Sequence, residues 1–334
     1  MTPTTTVIYH NADFDGLFCC EIAKHFLGNN GVYYIGWNHG DKPLSIPDGQ
    51  IYILDLPVDS VFGFGFSIMG ADKNSTLDGH ISISQPESRI REFLEAAKRV
   101  VWIDHHKSSI ETHPNDIDGY RIDGVAACRL AWQWFNIAEH NAQNQTNEAL
   151  QVPLPLKKDF IDRIVSEPWA VRLAGEYDIW DKRDTNAELF QHGLRSEALY
   201  TNTWDALLSS DIGDEGTVAR LLNQGRALQY VKTQENTSII QHSGFTMRFE
   251  GLTFLACNHA RFNSFLFIDG LKPEHQACLG FAWRGKQWTV SLYHAPGHED
   301  IDLSLIAAKY GGGGHRGACG FTCLDLPFSL KGSI

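Results

Sequence analysis

The sequence contains no run of about 18 apolar residues, so it predicts no membrane-spanning helix. It also lacks a C-x-x-C pair, a Walker A loop and a G-x-S-x-G turn, which argues against a structural zinc site, a P-loop enzyme and an α/β-hydrolase. Basic residues are scarce, since 28 Lys and Arg stand against 40 Asp and Glu, for a net charge of −12. Such a chain is poorly suited to coat long duplex DNA, where Lys and Arg neutralise phosphates. It can still bind a short or single-stranded anion at one local site.

A targeting segment is also missing from the pattern. Residues 1–6 carry neither a basic nor an apolar region, so we expect no secretory signal. The seven cysteines are odd in number, and we expect them to be free thiols of a reducing compartment. These features predict a cytoplasmic protein. A length of 334 residues with 43% hydrophobic residues suffices for roughly two domains.

Three apolar runs in the first third of the chain each end in an acidic residue. They are Val7–Asp13, Ile51–Asp55 and Val100–Asp104. Continuous runs rich in Val and Ile are typical of strands buried on both faces of a parallel sheet. Helical patterns accompany them at Gly16–Leu27, Glu87–Lys98 and Val125–His140. This alternation predicts an α/β fold with a doubly wound, mainly parallel sheet, whose ligands bind at the carboxyl ends of the strands.

The remaining pattern predicts a second, smaller α+β domain. Residues 56–86 indicate a loop or insertion, and Leu156–Ala174 indicates a helix that Pro168 kinks or ends. A long helix over Gly216–Ile240 is expected to connect the domains. Short strands then follow at Phe245–Phe249, Leu252–Cys257, Ala277–Trp283 and Trp288–His294, with a final helix at Leu303–Tyr310. We therefore predict a catalytic domain over 1–195, a helical connector over 196–240 and a smaller α+β domain over 241–334.

One imidazole and two carboxylates lie within six residues at the first strand-to-helix turn. In extended backbone, residues two apart face the same way, so Asp13 and Asp15 are expected to point at one spot beside His10. Two carboxylates repel each other unless a divalent cation neutralises them. The alternative is that one of the two Asp residues caps the following helix.

A second group of candidate ligands follows the other strands. Asp55 ends the second apolar run, and its alternative role is a cap or loop acid. Asp104, His105 and His106 follow the third run, and adjacent His residues on extended chain alternate sides, so that one binds metal while the other faces substrate. Asp178 lies in an aromatic segment, with Asp181 as a competing candidate.

Imidazole and carboxylate ligands together favour Mn²⁺ and related ions. Two such ions acidify a shared water and stabilise the charge of a pentacoordinate phosphorus. The glycine-rich stretch Gly311–Gly314, followed by His315 and Arg316, would let a phosphate approach backbone amides closely. Its alternative role is a flexible turn.

Taken together, these motifs resemble the DHH phosphoesterase superfamily. The resemblance rests on D-x-D-G, a strand-end Asp, D-H-H, a later Asp and G-G-G-H, and it covers about residues 5–325. The group includes RecJ-type single-strand exonucleases, nanoRNases, pAp phosphatases and dinucleotide phosphodiesterases. Many members show H-x-x-x-D-x-D, whereas this chain has H-x-x-D-x-D with Tyr9 in the usual His position.

The resemblance implies a pair of metal ions, with Mn²⁺ expected and Mg²⁺ or Co²⁺ as alternatives. The ligands of the first ion would be His10 and Asp13, and Asp55 would bridge to the second. The second ion would also be held by Asp15, His105 and Asp178. Of the two remaining residues of this group, Asp104 would orient an imidazole and His106 would bind the scissile phosphate or assist proton transfer.

The resemblance also assigns substrate binding to the second domain. The residues concerned would be Gly312, Gly313, Gly314, His315, Arg316 and Arg261. We expect a phosphodiesterase that hydrolyses short single-stranded oligonucleotides to mononucleotides. One alternative is a hydrolase of pAp or of linear or cyclic dinucleotides, and another is an inactive nucleotide-binding protein. No membrane partner is expected, and a homodimer is left open.

Overall fold

A computed structural model describes residues 5–63, 99–112, 117–143, 152–181, 183–197, 199, 201–209 and 216–330. The chain divides into two compact units, residues 1–226 and 227–334. The division falls inside the segment 196–240 that the sequence assigns to a connector. The predicted helix Glu87–Lys98 lies outside the described residues. Within the described ranges, no helix combines the length and the apolar character needed to cross a membrane.

The first unit contains a five-stranded parallel sheet. Its strands are β1 Thr5–His10, β2 Val32–Trp37, β3 Gln50–Leu54, β4 Val100–Asp104 and β5 Asp118–Arg121, in the order β2-β1-β3-β4-β5. Alternate residues of β4 enter two different cores, since Val101 and Ile103 join one and Val100 and Trp102 join the other. Both faces are therefore buried, and the predicted doubly wound α/β fold is confirmed.

Helices cover this sheet and extend beyond it along the chain. They are α1 Phe14–Leu27, α2 Val58–Phe62, α3 Lys107–Thr112, α4 Ala127–Gln143, α5 Lys157–Ile161, α6 Trp169–Asp178, α7 Asn186–Arg195 and α8 Thr201–Ser209. The long helix α9 spans Thr217–Ser243. Trp204 of α8 and Leu221 of α9 join Phe18 of α1 in one apolar core, so part of the predicted connector packs within the first unit.

Two local predictions in the first unit are wrong. Leu156–Ala174 does not form one helix, because α5 ends at Ile161 and α6 begins at Trp169 with Pro168 as its N-cap. Proline has no amide hydrogen and fits a helix start better than a helix interior. The predicted loop over 56–86 contains α2 in its described part, and α2 buries Val58, Val61 and Phe62.

The second unit contains a six-stranded mixed sheet. Its strands are β6 Gly244–Phe249, β7 Leu252–Asn258, β8 Ala277–Trp283, β9 Trp288–His294, β10 Gly313–His315 and β11 Ala318–Cys323. The strand order is β10-β11-β9-β8-β7-β6, and every pair is antiparallel except β7 with β8. A 3₁₀ helix, Ser264–Gly270, and helix α10, Ser304–Lys309, complete the unit. The glycine-rich motif therefore forms a hairpin strand rather than a loop alone.

Candidate metal centre

The candidate residues of the first unit follow the carboxyl ends of β1, β3 and β4. Strand β1 lies between β2 and β3, so the chain order reverses beside it. In doubly wound sheets ligands bind at such a reversal point. The fold thus brings His10, Asp55 and the segment Asp104–His106 to one edge of the sheet.

The first strand-to-helix turn is built differently from the extended segment that the sequence suggests. Asp13 is the N-cap of α1, and its carboxylate accepts a hydrogen bond from the Gly16 amide at 3.0 Å. Asp15 lies in the first helical turn, so the argument from extended backbone is wrong, although both residues reach the centre. A Cβ on Gly16 would lie 2.0 Å from the His10 carbonyl oxygen, which explains why glycine occupies this position.

His10 and Asp13 form one side of the centre together with Asp55. The His10 Nδ1 atom lies 2.9 Å from Asp13 Oδ2 and 3.3 Å from Asp55 Oδ2. The structure thus brings His10 into contact with two carboxylates at the H-x-x-D-x-D spacing.

Asp15 and Asp178 form the other side, with His105 between them and Asp55. The His105 Nε2 atom lies 3.5 Å from Asp15 Oδ2, 3.4 Å from Asp178 Oδ2 and 3.4 Å from Asp55 Oδ1. Both oxygens of Asp15 accept hydrogen bonds from the first amides of α4, those of Ala127 at 2.9 Å and of the next residue at 2.8 Å. This helix N-terminus stabilises the buried carboxylate.

The structure distinguishes between the two later acids. Asp178 is the last residue of α6 and points to His105. Asp181 instead pairs with Arg183, whose Nη2 atom lies 2.5 Å from its Oδ2. Asp178 is therefore the one placed among the candidate ligands.

Asp55 lies at the middle of the arrangement in a left-handed backbone conformation. Its φ is 59°, and such residues cluster at functional sites because the surrounding structure must hold them there. The residue is 1% exposed. Its Oδ1 atom is buried and accepts no hydrogen bond, so a lone pair of that oxygen remains available to a cation.

Asp104 positions His106 rather than His105. The buried Asp104 Oδ1 atom accepts hydrogen bonds from the amides of His105 at 2.7 Å and His106 at 3.2 Å, and it lies 2.7 Å from His106 Nδ1. The two imidazole rings are 4.6 Å apart, and both approach Asp55. They therefore do not diverge to opposite sides as the alternation of an extended chain suggests.

Neighbouring carboxylates favour the protonated form of the imidazoles. Hydrogen bonds to Asp13 and Asp55 raise the pKa of His10 to about 10. Burial opposes the charge of His105, but contact with Asp55 and the negative charge of Asp15 outweigh it and raise its pKa to about 10. A hydrogen bond to Asp104 likewise raises the pKa of His106. Without a metal ion, these protons provide the positive charge of the centre.

Burial disfavours the charged form of the carboxylates, so it raises their pKa values. It raises the pKa of Asp178 to about 6, with the negative charge of Asp55 adding to the effect. Burial and the charges of Asp55 and Asp178 raise the pKa of Asp15 well above its ordinary value. Burial alone would raise the pKa of Asp55 too, but the hydrogen bond from His10 and the neighbouring imidazoles lower it. The cluster is therefore short of positive charge.

The ligand atoms fit a pair of divalent cations. Among the residues that the structure describes, three groups of side chains bring one ligand atom each within 4.8 Å of one another, namely His10 with Asp13 and Asp55, Asp15 with His105 and Asp178, and Asp55 with His105 and His106. Asp55 belongs to two of these groups, as does His105, and the contact between these two side chains links all three groups. Four carboxylates match the charge of two divalent ions, and oxygen with imidazole nitrogen suits Mn²⁺ and related metals.

Sequence reasoning missed His39, an exposed imidazole at the same sheet edge. Its ring centroid lies 5.5 Å from that of His10 and 6.5 Å from that of His106. It follows β2, an edge strand whose half-exposed residues alternate irregularly. Recognition of β2 as a strand would have placed His39 beside the centre.

The other predicted site residues belong to the second unit. Gly312 precedes β10, while Gly313, Gly314 and the backbone of His315 lie in β10 and pair with β11. The Arg316 guanidinium donates a hydrogen bond to the Asp300 carbonyl. Arg261 lies exposed after β7, and β8 and β9 separate β7 from β11 in the sheet.

The glycines of this hairpin differ in the space around them. A Cβ on Gly312 would lie 2.1 Å from the Gly320 carbonyl oxygen, and Gly314 has φ of 128°. A Cβ on Gly313 would meet nothing within 4 Å. The fold thus requires Gly312 and Gly314, whereas one side of the Gly313 backbone is open.

Comparisons with known proteins identify likenesses among solved structures. No family model and no curated protein matches the chain. A pGpG-specific phosphodiesterase from Vibrio cholerae is 14% identical, with 96% of this chain and 93% of that chain covered and a TM-score of 0.42. The DHH domain of a member of the s1p family of ribosomal proteins is 13% identical, with 96% and 82% covered and a TM-score of 0.49. Exonuclease RecJ bound to manganese is 13% identical, with 97% and 86% covered and a TM-score of 0.44. Structures described as a DHH domain and as RecJ are thus among those that this chain resembles along most of its length.

Proposed function

We propose that this chain is a metal-dependent phosphodiesterase that hydrolyses short single-stranded oligonucleotides to mononucleotides. The observation that carries the proposal is Asp55, a buried carboxylate in a left-handed conformation between two groups of candidate ligands. His10 and Asp13 would hold one ion, and Asp15, His105 and Asp178 the other. Bound Mn²⁺, Mg²⁺ or Co²⁺ would supply Lewis-acid charge and lower the pKa of the attacking water.

His106 is the group that we propose to act on the substrate. Its Nδ1 donates to the Asp104 carboxylate, which fixes the tautomer and the orientation of the ring. The hydrogen bond to Asp104 raises the pKa of His106, so Nε2 carries a proton over a wider pH range. That proton can be donated to a phosphate oxygen or to the leaving alkoxide. The side chain is 40% exposed, which leaves room for a substrate.

We further propose that the hairpin of the second unit binds a substrate phosphate. The open side of the Gly313 backbone supports this role, because a phosphate can approach an amide that no side chain covers. His315, Arg316 and Arg261 would add positive charge. The net charge of −12 favours short substrates over long polymers, because long-range attraction to a polyanion is absent.

A panel of substrates tests the proposal and separates it from its alternatives. The purified protein is incubated with Mn²⁺ and pAp, linear and cyclic dinucleotides, or single-stranded oligonucleotides of graded length, and the products are resolved. Release of mononucleotides from short oligonucleotides is the expected result. Preference for pAp or for dinucleotides would favour the small-nucleotide hydrolase. Binding without turnover of any substrate would favour an inactive nucleotide-binding protein.

A further inference from the structure

Trp180 is a large aromatic residue in a position where its backbone is strained. It follows α6, two residues after Asp178, and its φ is 57°. The amide of Trp180 donates to the Tyr177 carbonyl at 3.1 Å, and the amide of Asp181 donates to the Glu176 carbonyl at 2.8 Å. These two bonds define a Schellman motif, in which the left-handed residue is usually glycine. A tryptophan here lowers stability relative to glycine.

Trp180 presents about half of its side chain to solvent, although it lies next to residues of an apolar core. The side chain is 54% exposed, and it is absent from the apolar core to which its neighbours Tyr177 and Ile179 belong. The hydrophobic contact that often accompanies a Schellman motif joins the residues at the positions of Asp181 and Glu176. Both residues are acidic here, so that hydrophobic contact does not stabilise this helix end.

Trp180 is close in the chain to a candidate metal ligand, and its ring lies against an aromatic neighbour. Two residues span at most about 7 Å, so the Trp180 backbone lies close to Asp178, a candidate metal ligand. Its ring lies 5.9 Å from the Tyr177 ring at an angle of 28°. The Arg195 guanidinium also lies 5.9 Å from the Tyr177 ring. Tyr177 thus supports the exposed indole from within the unit.

We propose that the indole of Trp180 stacks on a nucleobase of a substrate whose phosphate lies at the metal centre. This inference rests on the proposed function and deepens it, because it assigns the site to nucleoside phosphates rather than to phosphate esters or polyphosphates without a base. Stacking on an aromatic side chain is available to every base. The indole therefore contributes affinity without selecting among bases.

The test is a double comparison of protein and substrate. Wild-type protein, Trp180→Phe and Trp180→Asn are assayed with Mn²⁺ on a dinucleotide and on the same dinucleotide with one base removed, at each position in turn. Asparagine suits the left-handed position, so the variant keeps the fold and its thermal midpoint stays near that of the wild type. Tyr33→Ala is the matched control, because Tyr33 is 61% exposed on the edge strand β2.

We expect Trp180→Asn to lower kcat/KM for the complete dinucleotide by about 10- to 100-fold. The same substitution should change kcat/KM little for one of the two abasic dinucleotides, the one that lacks the base on which Trp180 stacks. Trp180→Phe should restore most of the loss, and Tyr33→Ala should leave both substrates unaffected. Equal losses on complete and abasic substrates, or no loss on either, would overturn the inference while leaving the phosphodiesterase intact.

A binding measurement keeps the two proposals separable. Calorimetric titration compares a nucleoside 5′-monophosphate with ribose 5-phosphate on the wild type and on Trp180→Asn. If the wild type binds the nucleotide more strongly than ribose 5-phosphate and Trp180→Asn abolishes this difference, base stacking is supported. This holds even if no substrate turns over, in which case only the hydrolase proposal fails. Indistinguishable binding of the two ligands to the wild type contradicts base stacking.

Discussion

Replacement of Asp55 by asparagine removes the charge at the middle of the candidate centre and leaves its shape nearly unchanged. Asparagine tolerates the left-handed backbone that Asp55 adopts with φ of 59°. The change therefore tests the carboxylate rather than the fold. The variant retains an oxygen that can accept from His10, but it has no charged oxygen to share between the two groups of ligands.

The structure sets the size of the expected effects. Hydrogen bonds to charged groups contribute about 1.5–3 kcal/mol and neutral ones about 0.5–1.5 kcal/mol. The metal-free variant, which offers His10 only a neutral acceptor, should therefore be less stable by about 1 kcal/mol. Metal at 100 times its dissociation constant stabilises a folded protein by about 2.7 kcal/mol. The variant should lose most of that increment at metal concentrations that saturate the wild type.

Three assays measure these effects on the same samples. Calorimetric titration with Mn²⁺ should give two ions per chain for the wild type and at most one for Asp55→Asn. Thermal unfolding with and without Mn²⁺ should give the stability increments. Hydrolysis of a short oligonucleotide should fall by about 100- to 1,000-fold, as for loss of a main electrostatic group. Asp181→Asn is the matched control, because Asp181 pairs with Arg183 outside the cluster. Two bound ions and turnover within tenfold of the wild type in Asp55→Asn would show that Asp55 is not a shared metal ligand.

Three further predictions address charge, packing and the hairpin. Since the pKa values of His10 and His105 are raised to about 10 from 6.5, their protonation stabilises the metal-free fold below pH 6.5 and this stability is lost as the pH rises toward 10. Mn²⁺ binds only the neutral imidazoles. Thermal unfolding between pH 6.5 and 8.5 should therefore show a midpoint that falls with pH in the metal-free protein and a stabilisation by Mn²⁺ that grows with pH. A stabilisation by Mn²⁺ that shrinks as the pH rises would argue against these ligands. Gly16→Ala should destabilise the protein by about 1–3 kcal/mol in denaturant unfolding and weaken Mn²⁺ binding, since its Cβ would lie 2.0 Å from the His10 carbonyl oxygen; unchanged stability and metal affinity would contradict the packing argument. Gly313→Ala should raise KM for the oligonucleotide without lowering the thermal midpoint, because the space beside Gly313 is open. Gly312→Ala should lower the midpoint, because its Cβ would meet the Gly320 carbonyl oxygen. An unaltered KM for Gly313→Ala would exclude phosphate contact there.

Burial determines how much of the fold the sequence predicts. Every residue of β4 is buried, and its continuous apolar run is recognisable. Strands β2 and β5 are partly exposed edge strands and are not predicted. Strand β5 carries no apolar run, whereas β2 is mainly aromatic and apolar but does not end in an acidic residue like the three runs that are recognised. The strands β8 and β9 agree with prediction at both ends, because turn-forming residues bound their apolar patterns.

In the candidate site, too, the sequence predicts the local features and misses those that depend on tertiary contacts. The sequence identifies the ligand types at the strand ends, but it does not reveal that Asp13 caps α1 or that Asp15 binds the first amides of α4. The choice between Asp178 and Asp181 depends on where α6 ends and on the contact with Arg183. His39 requires the tertiary structure because it follows an unrecognised strand, and the left-handed backbone of Trp180 is likewise visible only there.

The most direct test of the metal centre is a crystal structure of the protein grown with Mn²⁺, with anomalous scattering recorded at the manganese edge. We expect two anomalous peaks about 3.5–4 Å apart, with an oxygen of Asp55 bound to both and with the imidazoles of His10 and His105 on separate ions. A single peak without Asp55 as a ligand, or no peak between these side chains, would contradict a two-ion centre.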